Sequence, residues 1–98
     1  MKVMVRYKVK PDQAAENERL IKAVFAELAE KKTPGIRYNT YKLPDGVSFV
    51  HLATVEVEPN PLFALETFKR FSGTIQERCE EPPVTLQLTE VGAHDGLR

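Results

Sequence analysis

Cysteine is nearly absent from this chain: Cys79 stands alone, so no disulfide can close within it, and a reducing cytoplasm is the compartment that fits best. Charge of one sign is also missing. Fourteen basic residues meet fourteen acidic ones, and the two signs alternate along the first helical segment. Neither a global field nor a basic stripe is present to gather nucleic acid or an anionic membrane. The longest apolar run is too short to cross a bilayer. The first residues already read as a strand, with no charged-then-apolar leader ahead of them, so a soluble intracellular protein is expected. The two histidines, His51 and His94, are far apart, and no Cys/His spacing suits a metal. Gly35, Gly46 and Gly73 each occupy a turn or a break rather than a phosphate loop. No serine stands in a nucleophile motif.

What is present is an ordered set of patterns. Val3, Val5, Tyr7 and Val9 alternate with Met4, Arg6 and Lys8, which predicts a strand over Lys2–Lys10. Pro11 ends it, and Asp12 is expected to cap a helix running to Lys32. Leu20, Ile21, Val24, Phe25 and Leu28 form the apolar stripe of that helix. Thr33-Pro34-Gly35 stops it. Two extended segments follow, Ile36–Leu43 and Val47–Val57, joined by Pro44-Asp45-Gly46 in a type I turn with a glycine bulge. With Leu43 set opposite Val47, Tyr41 faces Phe49 and Asn39 faces His51. Asn60-Pro61 opens a second helix running to Glu80, interrupted at Gly73 and restarted by the capping-box pattern Thr74-x-x-Glu77. Pro82-Pro83 ends it. Val84–Val91 alternates as a last strand, and Gly92–Arg98 reads as a tail.

This order, β-α-β-β-α-β, predicts a single α+β domain over residues 1–98. It is ferredoxin-like: a four-stranded antiparallel sheet with two helices on one face. The other face then carries Met4, Val50, Leu52, Ile36 and Tyr38, or their alternates. Either set is partly apolar, which points to a homodimer formed through that sheet face.

Four short segments carry a family resemblance. They are Lys10-Pro11-Asp12 after the first strand, Pro34-Gly35-Ile36-Arg37-Tyr38 entering the second, Phe49-Val50-His51-Leu52 in the third, and Phe71-Ser72-Gly73-Thr74-Ile75 at the helix break. In these and in segment order the chain resembles the antibiotic-biosynthesis-monooxygenase-like proteins of the dimeric α+β barrel group. The resemblance implies a dimeric barrel and, for some members, cofactor-independent oxygenation of quinols or degradation of haem. The chain departs from the family pattern at several places. Ala53-Thr54-Val55 stands where members often carry a Glu and a Trp, and the chain has no Trp. Lys69 lies nearest the position of a helical His, and Val5 replaces the Asn of the haem-degrading members. Haem degradation is therefore not expected.

The candidate chemistry centres on His51, the one histidine inside a predicted element, as a base for a phenol or quinol. Tyr38, Asn39 and Tyr7 are candidates to orient the ligand, with Asn39 the partner of His51 if the hairpin register holds. Phe68 and Phe71 are candidates to wall an apolar cavity, together with Phe63 and Ile75. For each of these the alternative is ordinary packing. The expected function is a cofactor-independent monooxygenase-like protein acting on a small aromatic or quinol-type molecule. The alternative is a non-catalytic dimeric barrel that holds a small ligand or serves a stress response. No metal and no cofactor are expected.

Overall fold

A computed structural model describes residues 1–97. The elements are β1 (Lys2–Val9), α1 (Ala14–Lys31), β2 (Ile36–Lys42), β3 (Ser48–Val55), α2 (Glu66–Gly73), α3 (Ile75–Arg78) and β4 (Cys79–Leu88), with single 3-10 turns at Pro11–Gln13 and Pro61–Ala64. The sheet has four strands in the order β2-β3-β1-β4, each pair antiparallel. The predicted ferredoxin-like α+β architecture is therefore the one found. The tail predicted over Gly92–Arg98 includes Arg98, which lies outside the described residues; Gly92–Leu97 form no helix or strand.

One face of the sheet carries the core. Tyr7, Val9 and Phe49 pack against Leu20, Ile21 and Val24 of α1 and against Leu62, Leu65, Phe71 and Ile75 of the second helical region. Alternation places Val3 and Val5 on this side with His51 and Ala53, while Met4, Val50 and Leu52 look the other way. The expectation that Ile36 and Tyr38 share a face with Met4 is corrected. Both pack with the core cluster, because Tyr38 pairs with Ala53 and Ile36 with Val55. The open face keeps Val84, Leu86 and Tyr41 exposed.

Three local expectations also change. Asp12 does not cap α1: it lies within the 3-10 turn, and neither that turn nor α1 has a side-chain cap bond. Thr74 does not form a capping box either. Its hydroxyl donates to the Arg70 carbonyl and accepts from Arg78 instead. Asn60 does cap, accepting from the Leu62 N–H at 2.9 Å, but what it caps is the 3-10 turn; α2 begins only at Glu66, without a side-chain cap. The largest difference is at β4, which begins at Cys79 and runs through Pro82-Pro83. Proline lacks a ladder donor, but β4 is an edge strand, and its register with β1 shifts between Arg6 and Val9. A bulged edge is where the sheet tolerates proline.

The β2–β3 hairpin is displaced by one residue from the expected register. Thr40, not Asn39, lies opposite His51, and Tyr41 lies opposite Val50. The turn explains it. The Asp45 carboxylate accepts from the N–H groups of Val47 and Ser48, while the Val47 carbonyl accepts from Val9 of β1 at 2.9 Å. Val47 thus leaves the β2 ladder, and Leu43 pairs with Ser48. A one-residue slip reverses the faces of a strand, so Asn39 is exposed on the open side.

Candidate functional site

His51 sits at the centre of the core face, 4% exposed. Its neighbours across the sheet are Val5 and Thr40, with Tyr7 and Tyr38 on the diagonals. Diagonal separation lets long aromatic side chains converge on one another, and both phenols reach the imidazole. Tyr7 Oη lies 2.8 Å from His51 Nε2, Tyr38 Oη 2.6 Å from Nδ1, and Thr40 Oγ1 3.1 Å from the same Nδ1. The Tyr7 and Phe49 rings stack at 5.6 Å, Tyr38 stacks on Phe25 at 5.1 Å, and Phe71 tilts over the imidazole at 5.4 Å.

Burial sets the electrostatics. Burial strips the hydration that would favour a protonated imidazole, no carboxylate is bonded to it in compensation, and its pKa falls to about 4. The ring is neutral at pH 7. Burial also pushes the Tyr38 phenol up to about 12 and the Tyr7 phenol higher than its ordinary value, the Asn17 hydrogen bond opposing that rise. The cluster is therefore uncharged across the neutral range.

Beside it lies a cavity of about 340 Å³ between α2 and the sheet. Its walls include Val3, Val5, Ala53, Leu62, Phe68 and Phe71, with Phe63 exposed at its rim. Tyr7, Tyr38 and His51 form a polar patch on this lining, Asn60, Ser72 and Thr85 add neutral polar side chains, and no other ionisable side chain lines it among the described residues. A narrow apolar space with a few convergent polar groups suits a small neutral ring bearing an oxygen. A charged group would find compensation for its lost hydration only at the Tyr38–His51 patch.

Of the residues singled out in the sequence, His51, Tyr38, Tyr7, Phe68 and Phe71 all line this one cavity. Asn39 does not: the hairpin register carries it to the opposite face, and Thr40 takes its place beside His51. Three residues were missed. Asn17 and Arg78 are buried polar groups bonded to each other at 2.9 Å, and Asn17 in turn bonds Tyr7. The signal was available for both. Asn17 precedes Leu20 and Ile21 on the α1 stripe, and Arg78 follows Phe71 and Ile75 at helical spacing, so each is a polar residue on an apolar face. Thr40 was hidden by the register.

An antiparallel ferredoxin-like sheet with its helices on one face and a ligand-sized cavity beneath the second helix defines the structural class. Solved structures share its fold. One named antibiotic biosynthesis monooxygenase superposes with a TM-score of 0.75 over 93% of this chain and 98% of its own, at 16% identity. A protein from Bacteriodes thetaiotaomicron VPI-5482, provisionally named an antibiotic biosynthesis monooxygenase, gives 0.80 over 100% and 95% at 14% identity. One from Caulobacter crescentus CB15, provisionally named likewise, gives 0.70 over 93% and 89% at 23% identity. The chain thus resembles these proteins in fold as well as in segment order. No protein-family model matches the sequence, and no curated protein matches it.

Proposed function

We propose that the protein binds a small aromatic or quinol-type molecule between α2 and the sheet and oxygenates it with molecular oxygen without a bound cofactor, as a relative of the antibiotic biosynthesis monooxygenases. The observation that carries this reading is the cavity of about 340 Å³ with His51, Tyr38 and Tyr7 hydrogen-bonded on its mainly apolar wall. An aromatic ring fits against Phe68 and Phe71, with its oxygen at the Tyr38 hydroxyl. An electron-rich arenolate can itself pass an electron to oxygen. The phenolic proton has been lost to solvent. The radical pair joins as a C–O bond, and the peroxide takes a proton from solvent. Its O–O bond and the ring C–H bond break to leave a ring carbonyl and water, the substrate supplying all the electrons. What remains for the protein is to hold the ionised ring in a dry, fixed geometry.

His51 acts in this reading through Tyr38, as a positioning residue rather than as a base. A resting general base works best with a pKa near the operating pH, and burial holds this imidazole near 4. As a neutral ring bonded to Tyr38 it instead steadies negative charge on the ring oxygen. Oxygen uptake with a panel of quinols tests this. Substrate-dependent uptake that falls by about ten-fold or more in a His51→Ala variant supports it; equal rates in the two proteins contradict it.

A second reading rests on the lining, where no acidic or basic side chain assists the imidazole. In it the same cavity binds a small ligand without turnover. Saturable binding of a quinol with no oxygen consumed would select this alternative.

In either case the open face, with Val84 44%, Leu86 40% and Tyr41 53% exposed, is the surface on which we place a second copy of the chain. Native mass measurement at the mass of two chains supports that arrangement, and a monomer at micromolar concentration contradicts it. Among the described residues no helix is long and apolar enough to cross a membrane. The single thiol of Cys79 suits the cytoplasm.

A further inference from the structure

The polar cluster continues beyond His51. Asn17 Nδ2 donates to Tyr7 Oη at 2.9 Å, and Arg78 Nε donates to Asn17 Oδ1 at 2.9 Å. Arg78 is held further by the Thr74 hydroxyl at 2.6 Å and the Phe71 carbonyl at 2.9 Å, with its guanidinium 5.2 Å from the Phe71 ring centre. Arg78, Asn17, Tyr7 and His51 are all buried. A continuous line of hydrogen bonds therefore crosses the core from α3, through α1, to the wall of the cavity.

The donor inventory gives this line a direction. A guanidinium only donates. It turns the carbonyl oxygen of Asn17 toward itself and the amide nitrogen toward Tyr7. Tyr7 has one hydrogen to give, and its other partner is His51 Nε2 at 2.8 Å. If Nε2 carried a hydrogen instead, the Tyr7 O–H would be buried without an acceptor, which is costly. Nε2 therefore accepts, and the neutral ring carries its hydrogen on Nδ1. That hydrogen points to Tyr38 Oη at 2.6 Å, with Thr40 Oγ1 flanking at 3.1 Å. Tyr38 accepts it and keeps its own hydrogen for the cavity that it lines.

We propose that Arg78 is a positioning residue for this cavity: through Asn17 and Tyr7 it locks His51 in the Nδ1–H form and makes Tyr38 a hydrogen-bond donor, so that the site selects ligands bearing an acceptor oxygen, a ring ketone or ring oxyanion. Every bond in the line donates toward the cavity, with a cation at its far end. Aligned bonds of this kind polarise one another, and their sum favours negative charge at the ligand's oxygen. The proposal rests on the cavity being the ligand site. It does not depend on oxygenation.

Nitrogen NMR of histidine-labelled protein reads the tautomer directly, since the other histidine, His94, is exposed and separable. The wild-type His51 is expected to show a bare Nε2 and a protonated Nδ1. Asn17→Asp keeps the size of the side chain but replaces the donating nitrogen by an oxygen. The new carboxylate accepts from both Arg78 and Tyr7, so the Tyr7 hydrogen reverses and His51 should switch to the Nε2–H form. Binding of 1-tetralone, a ketone without a hydrogen to donate, is compared with that of tetralin, which lacks the oxygen. The wild type should prefer the ketone by about ten-fold or more, and the variant by no more than about two-fold. A wild-type ring protonated on Nε2 overturns the proposal without any variant. So does an unchanged tautomer in a folded Asn17→Asp protein, or equal affinity of the wild type for the two probes. Failure to consume oxygen with these tautomers in place removes only the oxygenase reading. Failure of both probes to bind removes the cavity as ligand site and this proposal with it.

Discussion

Tyr7 Oη lies 2.8 Å from His51 Nε2 and takes a second hydrogen bond, at 2.9 Å, from Asn17. One phenol thereby joins a sheet residue to a helix residue inside the core. Tyr7→Phe would leave His51 Nε2 and Asn17 Nδ2 buried without a partner. We expect a loss of about 2–3 kcal/mol in unfolding free energy, measured by urea denaturation, with the fold retained. A loss within experimental error of zero would show that water or another side chain satisfies both groups.

The depressed pKa of His51 makes stability depend on pH. Its folded value is about 4 against an ordinary 6.5, so below 6.5 the unfolded chain takes up a proton that the folded chain refuses. Stability is fully present above about 6.5 and declines as pH falls toward 4. This one group contributes about 3 kcal/mol to that decline. Carboxylates held low in the fold, such as Glu27 beside Lys31 and Asp45 beside Ser48, weaken the protein at still lower pH. The histidine part is isolated by comparison with His51→Gln, whose stability should vary less between pH 7 and pH 4.5. Parallel pH curves for the two proteins would refute the assignment.

Gly35 and Gly46 share the same positive φ of 79°, yet they differ in surroundings. A Cβ on Gly46 meets nothing within 4 Å, whereas one on Gly35 would stand 2.6 Å from Val57 Cγ2. Gly46→Ala should cost about 1 kcal/mol from backbone strain alone. Gly35→Ala adds a collision between β2 and the segment after β3, and should cost at least about 1 kcal/mol more. Thermal unfolding of the pair measures the difference, and equal losses would mean that Val57 moves aside freely.

Phe25 stacks on Tyr38 with 13° between the ring planes and fixes the phenol that faces His51. Phe25→Asp puts a charge against that ring, and we expect a loss of about 3 kcal/mol or more in chemical denaturation. A variant that unfolds like the parent would show that this part of the α1 stripe is not needed by the core.

The sequence made the architecture legible because the chain alternates cleanly in β1 and β3 and carries a continuous stripe in α1. It hid the start of β4, since two prolines read as a stop wherever edge position and bulge are unknown. The site was legible at its aromatic members: Tyr7, Tyr38, His51, Phe68 and Phe71 converge on one cavity. It was misread at Asn39, because a single residue of turn geometry at Val47 decides which side chain of β2 meets His51. Asn17 and Arg78 were not singled out, although each stands on an apolar stripe. A polar residue at a core position is a signal as informative as the apolar ones around it.

The cavity beneath α2 is tested most directly by filling it. Ala53 is 5% exposed and lines the space beside His51. Calorimetric titration with 1-tetralone compares the parent with Ala53→Leu, whose added carbons occupy the ring's place. We predict one binding site per chain in the parent and a loss of affinity of about ten-fold or more in the variant, with cooperative unfolding kept. Undiminished binding in the filled protein would contradict the account, because the ligand would then lie elsewhere.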